Sequence, residues 1–484
     1  MTKKNLLTAL LVAPMLIGGV SACGGGGGGG NKDVIEIRFA QNTDKSKLSP
    51  IIERAAEAFN KNEEANPGLK IHVDASQESG SFDLLRENTL KKIPTGDYCD
   101  IFYGYPDSIQ AINKYKVVQD LDEFINDSEV GLTQDELNDI IPAYLQEGAN
   151  YPDEGRYSMP FSKSTEVMYY NRDILGLDLS SIDPSINNGN PLTEAYINNL
   201  TWDELFEKLC PALLTKNEQL DDEHKLIIPK EDKSCVFAYD SDDNFFITLA
   251  KQYGYDYTSI DPATKKGSID FANENMANLL VKVNEYYRKG YLMTKGSYGG
   301  SYTSNLFNDK ACLFTVSSTA GAKNTYNSNF VTMPAHIPHV AGSKGYTISQ
   351  GPSIAILKKE AAPEKAKAAW QFYRFFLRKY SLNWAVNSGY LPILESDYES
   401  DEWLEASSTD GKNPMTEEYN KAMTYSYIPQ VSDDLFDSPV FTQSAAARVQ
   451  AGSAMTQAIV YNGTLTKEQA MEIHTTCKNN AMNA

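Results

Sequence analysis

The chain has 484 residues, of which 41% are hydrophobic and 22% charged; it can build a core and is too long for one small domain. It carries 44 Lys and Arg against 64 Asp and Glu, a formal net charge of −20. That balance leaves no basic surface for nucleic acid and sets the chain against anionic lipid headgroups.

From the N-terminus, Lys3 and Lys4 precede an apolar run from Leu6 to Val20, which is shorter than a membrane-spanning helix needs. Val20-Ser21-Ala22-Cys23 follows, then seven glycines, Gly24 to Gly30. Small residues before a cysteine at the end of such a run resemble a bacterial lipobox. The resemblance implies that residues 1–22 are a signal peptide, that Cys23 is diacylated, and that residues 23–33 tether the chain to a membrane.

Val34 to Ala40 alternates and predicts a strand; Ile51, Ile52, Ala55, Ala58 and Phe59 predict a helix after Ser49-Pro50. Leu69 to Val73 predicts a second strand, Phe82 to Leu90 a helix, and Asp100 to Tyr103 a third strand. This order belongs to a parallel α/β sheet, with ligands beyond the carboxyl ends of its strands, where Gly104-Tyr105-Pro106-Asp107 falls. Further on, Thr165 to Tyr170 is β-like, residues 176–200 read as loop, and Trp202 to Leu209 as a helix capped by Thr201. Residues 215–234 read as a polar insertion. Helices are expected at Phe245 to Tyr253, Met276 to Lys289, Glu364 to Leu377 and Thr466 to Cys477, with strands at Ala311 to Val316 and Ser353 to Leu357.

Catalytic motifs are missing: G-x-S-x-G, the Walker pattern and H-E-x-x-H do not occur. His336 and His339 are separated by Pro338, which breaks the helix that would align them. Asp240 to Asn244 starts like a calcium loop, but Phe245 and Lys251 stand where glycine and glutamate are needed, so a helix cap is expected. Besides Cys23 there are five cysteines and no C-x-x-C; Cys210 and Cys235 flank a polar stretch, and both a disulfide and two free thiols are open.

Five segments occur in an order that resembles the extracellular solute-binding proteins of ABC sugar importers, the family of maltose-binding and glycerol-3-phosphate-binding proteins. They are Tyr157 to Asp173 (YSMPFSKSTEVMYYNRD), Thr201 to Leu205 (TWDEL), Phe307 to Phe314 (FNDKACLF) with Ser317-Ser318, Asn387 to Pro392 (NSGYLP) and Gly463 to Ala470 (GTLTKEQA). The resemblance implies an α/β, two-lobe periplasmic-binding-protein fold of type II, with a ligand cleft at the hinge. Lobe one would hold 34–158 and 316–350, and lobe two 159–315 and 351–484, decorated by an insertion over 176–234.

The implied function is capture of a carbohydrate and its delivery to ABC permease subunits by an anchored, monomeric, extracytoplasmic protein that catalyses nothing and needs no cofactor or metal. A glycerol-3-phosphate or glycerophosphodiester ligand is one alternative, an extracellular glycan-degrading lipoprotein another, and a protein feeding a sensor kinase a third. Sugars need carboxylates and amides for hydroxyls and aromatic rings for C–H faces. The expected contacts are Phe82 and Asp83, Tyr105 and Asp107, Ser162 at the hinge, Asp242 and Phe245, Ser317 and Ser318, Gly351, and Tyr390 in the G-Y-L-P turn. Arg448 is the candidate for an anionic group, and Lys163 is the one basic residue close to these loops.

Overall fold

The computed structural model describes residues 34–231 and 233–484; the expected signal peptide, the expected lipidation site Cys23 and the expected tether lie outside them. Strands run in chain order as β1 (Ile35–Ala40), β2 (Ile71–Asp74), β3 (Ile101–Gly104), β4 (Met159–Pro160), β5 (Glu166–Asn171), β6 (Phe237–Tyr239), β7 (Thr258–Ile260), β8 (Gly267–Ile269), β9 (Leu292–Thr294), β10 (Phe314–Ser318), β11 (Thr332–Ala335), β12 (Thr347–Ile348), β13 (Ser353–Ile356) and β14 (Leu435–Phe436). Two five-stranded sheets result, β2-β1-β3-β13-β4 and β11-β5-β10-β6-β9. Each contains a parallel trio: β2-β1-β3 in the first and β10-β6-β9 in the second.

The first sheet begins as the alternation predicts. Ile37 and Phe39 turn inward, and the Ser49–Asn60 helix buries Ile51, Ile52, Ala55 and Phe59 against it. The other wall of this core is the Glu364–Lys379 helix, whose Phe372 meets Phe39 and Phe59 at ring distances of 6.0 and 5.6 Å and whose Phe376 stacks on Phe161 at 4.1 Å. The second sheet buries all six residues of β5, including the charged Glu166. The helices Asp242–Tyr253, Glu274–Arg288, Ser444–Ile459 and Lys467–Met482 pack together beside it. Residues Ile35–Ala484 form one compact unit, and no helix of the described residues is long and apolar enough to cross a membrane.

The sheets correct the expected division of the chain. Residues 316–350 do not return to lobe one: β10 and β11 both pair antiparallel with β5, placing Val316 opposite Met168 and Ala335 opposite Met168 on its other side. Residues 351–379 do not join lobe two, because β13 pairs antiparallel with β3, Ile354 opposite Tyr103, and the following aromatic helix covers β1. β10 and β13 are short and almost wholly buried, with hydroxyl residues among the apolar ones, so their composition does not say which sheet they complete. Nor is 176–200 a mere loop on the surface. Leu179, Ile186, Leu192 and Ile197 are buried in the second core, spaced too irregularly to show a period.

Three segments cross between the sheets side by side. Ser162 N–H donates to the Pro352 carbonyl (3.0 Å), Ser164 N–H to the Gln350 carbonyl (2.9 Å), and Leu391 N–H to the Lys163 carbonyl (2.7 Å). Gly351 is required here: its φ is +106°, and a Cβ would stand 2.0 Å from the Ser162 carbonyl oxygen.

Candidate functional site

The carboxyl ends of the two parallel trios border one cleft, of about 900 Å³. Asn42 follows β1, Ser81-Phe82-Asp83 opens the helix after β2, and Tyr105 to Asp107 follow β3. From the other side come Asp240 to Asn244 after β6, Lys295 after β9 and Ser318 at the end of β10. The crossing segments supply Ser349 to Gly351, and the Ser444–Ile459 helix supplies Arg448. Open α/β sheets place ligands at such edges because the loops there carry free backbone groups and tolerate any side chain.

Eight of the lining residues bear carboxylates and three bear permanent cations. The cations are occupied. Arg86 pairs with Asp83 at 3.0 Å, and Lys295 Nζ lies 3.9 Å from the centre of the Tyr302 ring. Arg448 Nη1 donates to Asp243 Oδ2 at 2.8 Å and to Asn244 Oδ1 at 2.5 Å. Burial opposes ionisation of Asp243, but the Arg448 guanidinium outweighs it and holds the carboxyl below its usual range.

Other carboxylates are partly committed to the fold. Asp242 accepts from Thr294 Oγ1 (2.6 Å), Gly296 N–H (2.7 Å) and Thr456 Oγ1 (2.9 Å), clasping the end of β9 to the Ser444–Ile459 helix. Asp240 accepts from Thr303 N–H at 2.6 Å and its Oγ1 at 3.1 Å, and burial pushes its pKa up to about 6. Glu166, at the start of β5, accepts from Tyr239 Oη at 2.5 Å and Asn244 Nδ2 at 2.8 Å. Burial pushes it up to about 7, against those two hydrogen bonds.

The raised Glu166 sets a pH dependence. The folded state binds its proton more tightly than the unfolded chain, so this stabilisation is complete below the ordinary value of 4.5 and is lost as pH rises to about 7. At about 1.4 kcal/mol per pKa unit the change is on the order of 3 kcal/mol. Glu166→Gln is expected to flatten the fall in urea midpoint between pH 4.5 and 7.5; an unchanged slope contradicts this reading of Glu166.

Of the residues expected from sequence, Phe82, Asp83, Tyr105, Asp107, Asp242, Ser318, Gly351 and Arg448 line the cleft. Phe82 and Tyr105 meet edge to face, ring centres 4.9 Å apart, and form its aromatic wall. Four others do not line it. Ser162 is fully buried, its Oγ accepting from Tyr103 Oη and Trp384 Nε1, both at 2.8 Å. Phe245 is turned by its helix into the second core and stacks on Tyr239 at 4.6 Å. Tyr390 stacks on Trp384 at 6.0 Å and packs against the first core. Ser317 faces a neighbouring groove. Lys163, expected near the loops, is wholly buried under them. Cys210 and Cys235 are buried free thiols.

Sequence reasoning passed over Glu166, Asp243, Tyr257, Tyr302 and Asp437, all on the cleft wall. Glu166 had a signal: a carboxylate opening an otherwise apolar strand is a buried charge, and buried charges are rarely idle.

The sequence profile of the bacterial extracellular solute-binding proteins matches residues 54–409. The chain belongs to that family. It acts outside the cytoplasm, as the family does, and the members bind solutes. Its fold is that of solved two-lobe binding proteins. The cyclic alpha-maltosyl-1,6-maltose binding protein of Arthrobacter globiformis is 15% identical, with a TM-score of 0.64 over 93% of this chain and 100% of that one. UgpB from Mycobacterium tuberculosis, in complex with glycerophosphocholine, is 14% identical, with a TM-score of 0.65 over 93% and 98%. An ABC substrate-binding protein of Listeria monocytogenes, in complex with cycloalternan, is 17% identical, with a TM-score of 0.63 over 93% and 99%. No curated protein sequence matches the chain.

Proposed function

We propose that this solute-binding protein is anchored through a lipidated Cys23, captures a neutral mono- or oligosaccharide in its cleft, and delivers it to the permease of an ABC importer. The observation that carries the ligand class is the make-up of the wall. Carboxylates and amides stand ready for hydroxyls, the Phe82 and Tyr105 rings offer aromatic surface for C–H faces, and the cations are already paired. The lobes close by bending the three crossing segments, which excludes water and strengthens each hydrogen bond to the ligand. No bond of the ligand is made or broken, and release follows reopening at the permease.

A glycerophosphodiester is the second reading, favoured by the presence of Arg448 on the wall. Against it, a phosphate would have to displace Asp243 from that guanidinium. The test is the melting temperature of the chain from Gly24 onward with neutral sugars, glycerol 3-phosphate and glycerophosphocholine. At about 100 times its dissociation constant a ligand adds about 2.7 kcal/mol, a rise of a few degrees. A rise with sugars alone supports the first reading; a rise with the phosphates alone replaces it with the second.

A further inference from the structure

A second groove, of about 640 Å³, opens on lobe two beyond the carboxyl end of β10. It shares Asp240, Tyr302 and Ser318 with the main cleft, so the two spaces adjoin along those three residues. Each volume is that of a complete small-molecule site, and one monosaccharide cannot occupy both.

The shared edge is built for a sugar. Tyr302 carries Lys295 Nζ over one face of its ring, 3.9 Å from the centre, and is still 57% exposed where the two spaces meet. Asp240 uses Oδ1 for both bonds from Thr303, while Oδ2 has only a Ser317 hydroxyl at 3.5 Å, so lone pairs remain there. Also on the groove wall, Asn308 Nδ2 donates to the Asn324 carbonyl at 2.8 Å, but its Oδ1 is buried and has no donor. A buried acceptor without a partner is costly, and a ligand hydroxyl reaching it would satisfy it. Lys323 is the one cation on this wall, against the two carboxylates Asp240 and Glu417, so the groove does not favour an anion.

We propose that this groove holds the outer rings of a neutral oligosaccharide whose first ring lies in the main cleft, with Tyr302 as the platform between them. The proposal rests on the carbohydrate reading above. It makes the protein an oligosaccharide receptor, with Asn308 and Ser317 as contacts for the added rings. Ser317, expected from sequence to touch ligand, finds its role here and not in the main cleft.

Gly321 lines the groove and gives a way to fill it. Its φ is not in the left-handed region, and the nearest atom to an added Cβ is Asn324 Nδ2 at 3.9 Å. Gly321→Trp therefore adds bulk without backbone strain. Titration calorimetry on the chain from Gly24 onward would use linear α- and β-linked glucans, mannans and galactans of one to six units. In the series that binds, affinity is expected to climb at least tenfold from the shortest bound member to the tri- or tetrasaccharide. Gly321→Trp abolishes the climb, and the exposed Tyr302→Ala lowers the longer members most. Affinity independent of length, or a climb that both variants leave intact, overturns the extension while the carbohydrate reading stands. Binding by no member of any series removes the carbohydrate reading, and the extension falls with it.

Discussion

Lys163→Met is expected to destabilise the protein by about 3–5 kcal/mol at pH 8, the usual cost of stripping one partner from a buried ion pair. Lys163 has no solvent exposure, and its ammonium meets Glu147 Oε2, which also accepts from Ser353 Oγ at 3.0 Å. Asp437 lies close to both. Burial and then the Glu147 charge push its carboxyl up to about 7, and Lys163 pulls against that rise. One cation thus serves two carboxylates where the chain crosses between the lobes. Without it, Glu147 is left buried with no cation beside it, and nothing pulls against the rise at Asp437, which takes up a proton more readily. The loss is therefore expected to be smaller at pH 5 than at pH 8. Urea midpoints of wild type and variant at the two pH values check this; equal stability at pH 8 would show that the lysine does not hold the crossing together.

Trp384→Ala is expected to cost about 3–5 kcal/mol, as for other large aromatic residues removed from cores. Trp384 is 1% exposed, packs on Phe161 at 5.7 Å and on Tyr390 at 6.0 Å, and donates from Nε1 to Ser162 Oγ. It fixes the same crossing strand from the first lobe that Lys163 fixes from within. Trp384→Phe keeps most of the packing and loses the hydrogen bond, so a drop of about 1–2 kcal/mol is expected. Ligand affinity of Trp384→Phe should equal that of wild type, since neither Trp384 nor Tyr390 lines the cleft. A large loss of affinity with little loss of stability would put the turn back into the site.

The opening strand–helix–strand–helix–strand of the first sheet was legible because local periodicity suffices there: β1 alternates, and the Ser49–Asn60 helix repeats its apolar residues on one face. Which sheet β10 and β13 complete was not legible. Both are short and almost wholly buried, and strand pairing is decided by contacts far apart in sequence. The site divides in the same way. Tyr105 and Asp107 were accessible because position after a parallel strand is a topological property. Ser162, Phe245 and Tyr390 lie near the cleft in sequence, but a motif does not report which way each side chain turns. Phe245 shows this: its helix begins on the cleft wall, and within one turn its side chains face the core.

Titration calorimetry of Tyr105→Ala, against wild type and with the sugar that raises the melting temperature, tests most directly whether the cleft is where ligand binds. Tyr105 forms the aromatic wall with Phe82, and loss of one such contact typically costs about 2 kcal/mol or more. The expected result is a dissociation constant raised about 30-fold, with the fold intact by circular dichroism. A dissociation constant equal to that of wild type would mean that the sugar binds elsewhere, and the cleft would lose its role.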